Sequence, residues 1–261
     1  MTTTYEPGPT AATDSDDVLV VDGLRKSFGS VQAIKQASIR LPRGKVTALI
    51  GDNGAGKSTL IRCLSGVHRP DSGTISLDGT AIDFHSPDQA RRAGIETVHQ
   101  NLALVDDLTV WQNLFLGREL TRGLGPVQFL DRKGMRDKAK EMVSALAINV
   151  PSVTSRVRRL SGGQRQAVSI ARAAGWGSKI VIMDEPTAAL GVQETARVEE
   201  LIRGLRERGL TILLISHNFD QVMRLADGVW VMRAGSSIAH RQVDQTSGEE
   251  LVGLVTGALA A

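Results

Sequence analysis

Residues 46–58 read Val-Thr-Ala-Leu-Ile-Gly-Asp-Asn-Gly-Ala-Gly-Lys-Ser. Val46 to Ile50 is a short apolar run rich in β-formers, the pattern of a buried strand. Ser58 to Leu64 continues as a helix. Between them, Gly51-Asp52-Asn53-Gly54-Ala55-Gly56-Lys57-Ser58 matches a phosphate-binding loop, in the strand-to-helix setting that the motif requires. Its glycines let the backbone wrap a phosphate chain, so that successive N–H groups and the helix N-terminus face the anion. Lys57 is expected at the β- and γ-phosphates, Ser58 at Mg²⁺ through its hydroxyl, and Thr59 beside it at the nucleotide.

Further strands and helices follow from the same patterns. Val18 to Val21 and Val31 to Leu41 read as strands, as do Gly73 to Asp78 with a turn at Gly79, Ile95 to His99, Ile180 to Met183 and Thr211 to Ile215. Helical spacing runs through Leu108 to Arg118, Arg132 to Leu146, Ser161 to Ala174 and Val192 to Arg208. Alternating strands and helices predict an α/β fold with a mainly parallel sheet covered on both faces. From about 101 to 172 only helices are expected, which suggests an inserted helical subdomain. Leu251 to Ala261 reads as a weakly apolar tail of no evident role.

Ile180-Val-Ile-Met-Asp184-Glu185 ends a buried strand in two carboxylates, at what is the ligand end of an open α/β sheet. Asp184 suits Mg²⁺, and Glu185 is placed to polarise an attacking water. Gln100 and His217 follow strands that end on the same side as the phosphate loop, and both are candidates for the γ-phosphate region. His99 reads as structural. Phe28, ahead of Gly29, is a candidate for stacking on adenine. Leu160-Ser161-Gly162-Gly163-Gln164 alone would be a helix N-terminus with two glycines. As a second phosphate-facing motif on the same chain, it implies a nucleotide sandwiched between two copies.

Together these residues resemble the ATP-binding cassette family, the ATPase subunits of ABC transporters. The likeness covers roughly residues 18–245. Phe28 resembles the adenine platform, Gly51–Ser58 the Walker A loop and Gln100 the Q-loop glutamine. Leu160–Gln164 resembles the signature motif, Ile180–Glu185 Walker B and His217 the switch histidine. The resemblance implies a P-loop core with an antiparallel β subdomain and the helical subdomain, forming one cassette over 18–261. It implies ATP and Mg²⁺ as cofactors, with Ser58, Gln100 and Asp184 at the metal and Glu185, His217 and Gln100 in catalysis. Gly51 to Thr59 and Ser161 to Gln164 would hold nucleotide across a head-to-tail pair of copies. Partners implied are membrane permease subunits at the cytoplasmic face of the inner membrane and, indirectly, a periplasmic or extracellular solute-binding protein. One position departs: Gly191 stands where many members carry an aspartate that couples the two sites.

Leu64 to Pro70, Gln100 to Leu104, Asn113 to Gly117 and Pro186 to Gly191 resemble ATPases of ribose, xylose and fructose importers. Alternatives are an ATPase for another solute or a non-transport ATPase of the same family. The bulk properties agree with these expectations. With 261 residues and 41% hydrophobic content, the chain can bury one large α/β core or two small ones. A net charge of +3, with basic residues spread along the chain, predicts a solvated surface and no nucleic-acid partner. A lone cysteine, Cys63, excludes an internal disulfide. Residues 1–17 are expected to be a disordered tail without signal-peptide character.

Overall fold

The computed structural model describes residues 16–123 and 128–259. Among these, ten strands form one sheet and two more form a small hairpin. The parallel half of the sheet holds β3 (Val46–Gly51), β6 (Ile95–Val98), β9 (Ile180–Asp184), β10 (Thr211–Ile215) and β11 (Gly228–Arg233), in the order β11-β3-β10-β9-β6. Its central strands are buried along their length because helices cover both faces, and they therefore read as continuous apolar runs rather than alternating ones.

The period-2 geometry of β9 divides its side chains between two cores. Ile180 and Ile182 join Leu49, Leu60, Leu64, Leu213 and Ile215 beneath α1 (Lys57–Leu64). Val181 and Met183 face the other way. They join Ile170 of α5 (Gly162–Ala174) and Val198 and Ile202 of α6 (Val192–Glu207), together with Ile212 and Leu214. Full burial of each such side chain is worth about 1.5–3 kcal/mol, so the strand ends are held rigidly.

The antiparallel half is built from β1 (Asp17–Phe28), β2 (Val31–Pro42), β4 (Ser72–Leu77), β5 (Thr80–Ile82) and β12 (Ser236–Gln242). Here β1 pairs antiparallel with both β2 and β4, and β12 with β11. A short helix, α2 (Pro87–Ala93), capped by Ser86, leads into β6.

The expectation of helices alone from about 101 to 172 is corrected. α3 (Val110–Phe115), α4 (Arg132–Ala145) and α5 do share a core of Leu114, Phe115, Met135, Ala139, Val168 and Ala171. Between α3 and α4, however, lies a hairpin of β7 (Thr121–Arg122) and β8 (Phe129–Leu130). Two-residue strands with exposed side chains leave no period-2 apolar pattern to detect.

The C-terminal apolar segment also has a place. α7 (Phe219–Leu225) and α8 (Gly248–Thr256) pack on β3 and β11, with Leu251 and Leu254 fully buried against Ile50, Val229 and Val231. Asp17 opens β1 and Asp16 accepts the Arg43 N–H, so both belong to the described fold. The expectation for residues 1–15 lies outside the described residues. Among the described residues, no helix is long and apolar enough to cross a membrane.

Candidate functional site

Parallel register assembles the first half of the site. Ile215 pairs with Asp184 on one side and Leu49 on the other, so β3, β9 and β10 end at one level. From that edge emerge the phosphate loop, the Asp184-Glu185 pair and His217. Val98 pairs with Met183, which brings His99 and Gln100 to the same edge.

The phosphate loop is fixed by backbone geometry. Gly56 has φ +101° and caps α1, and a Cβ there would lie 2.7 Å from the Ala33 carbonyl oxygen. The Ala55 N–H donates to Asp52 O, and Ala55 O accepts from Gly235 N, tying the loop to the β11–β12 turn. Gly56→Ala should therefore destabilise the chain by more than the roughly 1–2 kcal/mol of a left-handed alanine, because the clash is with backbone. Thermal denaturation measures this directly; an unchanged melting temperature would contradict the loop geometry.

Lys57 Nζ donates to the carbonyls of Gly51 (2.8 Å) and Asp52 (3.0 Å). Burial lowers its pKa, while the carboxylates of Glu185, Asp52 and Asp184 act to raise it. Burial and the neighbouring Glu185 charge raise the Asp184 pKa, opposed by His99, Lys57 and Arg62. Lys57, Asp184 and Glu185 are thus one electrostatic cluster. Ser58 is exposed at the first turn of α1, beside half-buried Thr59, and Asp52, Asn53 and Gly54 are exposed on the loop.

Glu185 has φ +50°, a left-handed conformation that costs a residue with a Cβ on the order of 1–3 kcal/mol. Its N–H donates to Ile215 O at 3.0 Å, which pins the turn. His217 Nδ1 lies 3.0 Å from Glu185 Oε1; the imidazole is 71% exposed and the carboxylate 26%. A buried relay holds this pair in place. Ser216 Oγ donates to Gln221 Oε1 at 2.9 Å, and Gln221 Nε2 donates to Thr187 Oγ1 at 2.8 Å. Ser216 and Gln221 were not singled out in the sequence, since a polar residue buried by tertiary packing leaves no local signal.

Gln100 is exposed at the end of β6. Just beyond it, Arg172 Nη1 donates to Ala103 O at 2.8 Å and Ser169 Oγ to Leu102 O at 3.2 Å. The far end of α5 therefore grips the segment that follows Gln100. His99, read as structural, is exposed, and its proximity acts to lower the Asp184 pKa. Phe28 is 45% exposed, with its ring edge-on to His68 at 5.0 Å and Lys26 Nζ 5.6 Å from the ring centroid.

The second half of the site stands apart. Ser161 caps α5 and forms a capping box with Gln164. Gln164 Nε2 donates to Asn149 O at 2.8 Å, and Gly163 N donates to Glu194 Oε1 at 3.2 Å. Among the described residues the phosphate loop and the Ser161–Gln164 element are thus joined by no hydrogen bond. Gly191 caps α6 without a side-chain hydrogen bond, and Val192 beside it is 89% exposed.

Comparison with known proteins gives a consistent result. The profile of the family described as ABC transporter matches residues 34–188. The chain is 47% identical to a fructose import ATP-binding protein of Rhizobium meliloti, over 93% of this chain and 95% of that one. It is 44% identical to a xylose/arabinose import ATP-binding protein of Sulfolobus acidocaldarius, over 92% and 94% respectively. Its fold matches a nucleotide-free ATP-binding cassette from an ABC transporter with a TM-score of 0.78 and 27% identity, covering 92% of this chain and 95% of that one.

Proposed function

This chain belongs to the ABC transporter family, and on that premise we propose that it is the ATP-hydrolysing subunit of an importer for a monosaccharide. The observation that carries the reading is that the Lys57–Asp184–Glu185–His217 cluster and the Ser161–Gly163 element share no hydrogen bond within one chain. A second copy, turned head to tail, supplies the missing half of each site. ATP held by Gly51 to Thr59 of one copy then meets Ser161, Gly162, Gly163 and Gln164 of the other. The nucleotide itself becomes part of the interface, and closure excludes water from the reacting phosphate.

Mg²⁺ fits the donors available. The Ser58 hydroxyl, the Asp184 carboxylate and the Gln100 side chain offer oxygen, which suits a hard cation. The two adjacent carboxylates, one with a raised pKa, form an arrangement that a cation relieves. Bound there with ATP, Mg²⁺ would offset phosphate charge. Lys57 leaves its loop carbonyls for the β- and γ-phosphate oxygens. Glu185 accepts the proton of the attacking water, and His217 orients Glu185 and contacts the γ-phosphate region. Gln100 reports that state to the helical unit through α5, which holds carbonyls 102 and 103. Exposed Phe28 receives the adenine.

Hydrolysis separates the pair, and that motion drives permease subunits, which place the chain peripherally on the cytoplasmic face of the membrane. An extracytoplasmic solute-binding protein delivers the sugar to the permease. The test is co-isolation: the tagged chain, taken from membranes in mild detergent, should bring down a polytopic permease, and ATP hydrolysis by the complex should rise with the transported sugar and its binding protein. Recovery with ribosomes or DNA and no permease would overturn the transport reading.

A further inference from the structure

One of the groups that should face a partner's γ-phosphate, the Gly163 N–H, is already occupied in the unpaired chain. Glu194, at the third position of α6, turns back across Gly191 and seats its carboxylate on the signature element. Gly163 N donates to Glu194 Oε1 at 3.2 Å. The stem of the side chain packs on the signature glycines: a Cβ at Gly163 would lie 3.0 Å from Glu194 Cβ, and one at Gly162 would lie 3.6 Å from Glu194 Oε2. The nearby Ser161 hydroxyl, with the Gly163 and Gly191 N–H groups, holds the carboxyl below its usual range.

A capping role alone would need only the Gly191 N–H. Reaching the Gly163 N–H, beside Ser161, places an anion where a phosphate oxygen belongs. We propose that Glu194 is a built-in stand-in for the partner's γ-phosphate: it preorganises Ser161 and Gly163 in the unpaired chain and must be displaced before the ATP sandwich closes. Two anions cannot share the same donors in a closing, water-excluded site. Arg197, one turn further along α6 and lining the same cleft, offers the displaced carboxylate a new partner. Glu194 is thus a positioning residue that sets the ATP concentration needed for closure. This rests on the head-to-tail reading above.

The test compares Glu185→Gln with Glu185→Gln/Glu194→Gln, following dimer formation by sedimentation as MgATP is raised. The glutamine keeps a carbonyl oxygen for the Gly163 N–H but carries no charge. The midpoint should fall about tenfold, the scale of losing one charge-assisted bond that competes with ATP. ATP binding to single chains, measured with Ser161→Arg present to block pairing, should stay unchanged. The sign is diagnostic: a residue that merely supports the helix would, when replaced, raise the midpoint. An unchanged or raised midpoint overturns the proposal. Should the glutamine variant lose helix by circular dichroism, Glu194→Ala, which also removes the charge, carries the same test. If Glu185→Gln alone forms no dimer at any ATP concentration, the head-to-tail reading fails instead.

Discussion

Glu185→Gln should lose about 10²- to 10⁴-fold of its ATP turnover, the range supplied by a positioned general base, while ATP binding is retained. The carboxylate sits where β9 ends, beside Asp184 and 3.0 Å from His217 Nδ1. Glutamine preserves the shape and can still meet the histidine, but it cannot take a proton from water. Its left-handed backbone, φ +50°, is set by the turn and by the bond to Ile215 O rather than by the carboxylate, so the fold should survive. On the proposed head-to-tail reading, nucleotide binding closes the pair and hydrolysis reopens it, so the variant should accumulate as an ATP-bound dimer. Phosphate release together with sedimentation in MgATP measures both effects. Turnover within about threefold of the unaltered chain would remove Glu185 from the general-base role, since such a role is worth at least two orders of magnitude.

Ser161→Arg is the complementary expectation, acting on the other half of the site. It removes the N-cap of α5, at about 0.5–2 kcal/mol of stability, and breaks the capping box with Gln164. More importantly, it sets a long side chain on the exposed face that approaches the partner's nucleotide in the proposed head-to-tail pair. Each copy should bind ATP through its own phosphate loop with unchanged affinity, because Ser161 shares no hydrogen bond with that loop. Dimer formation should disappear even at saturating ATP, and hydrolysis should fall with it. A dimer that persists in Ser161→Arg would mean that Ser161 to Gln164 do not lie in the interface. The two variants separate chemistry from assembly: one traps the pair and the other forbids it.

Much of the site was readable because its motifs are local. Val46 to Ser58 carries strand, glycine loop and helix start within thirteen consecutive residues, and Gly51 and Gly56 are required by backbone approaches that any side chain would obstruct. Ser161 and Gln164 announce a capped helix by spacing alone. Features that depend on contact between distant segments were not readable. The hairpin β7–β8 is two residues per strand, too short to show periodicity. The apolar run near the C-terminus had no assignable role until α8 was seen to bury Leu251 and Leu254 against β3 and β11. The neighbourhood of His99 and Asp184 emerged only when β6 was placed beside β9.

The sequence by itself determined the α/β architecture, the phosphate loop and the inventory of reactive groups, because each rests on hydrogen-bonding and steric demands met within a few neighbouring residues. Only the tertiary structure decided which of those groups meet. Parallel register between β9 and β10 brings Glu185 to His217 across a sequence gap that no local rule spans. The packing of α6 against α5 sets Glu194 on Gly163, with its carboxylate accepting the Gly163 N–H at the start of α5. The physical reason is common to both. Backbone conformation follows from near neighbours, whereas the pairing of charged side chains follows from how buried surfaces lock rigid elements against one another.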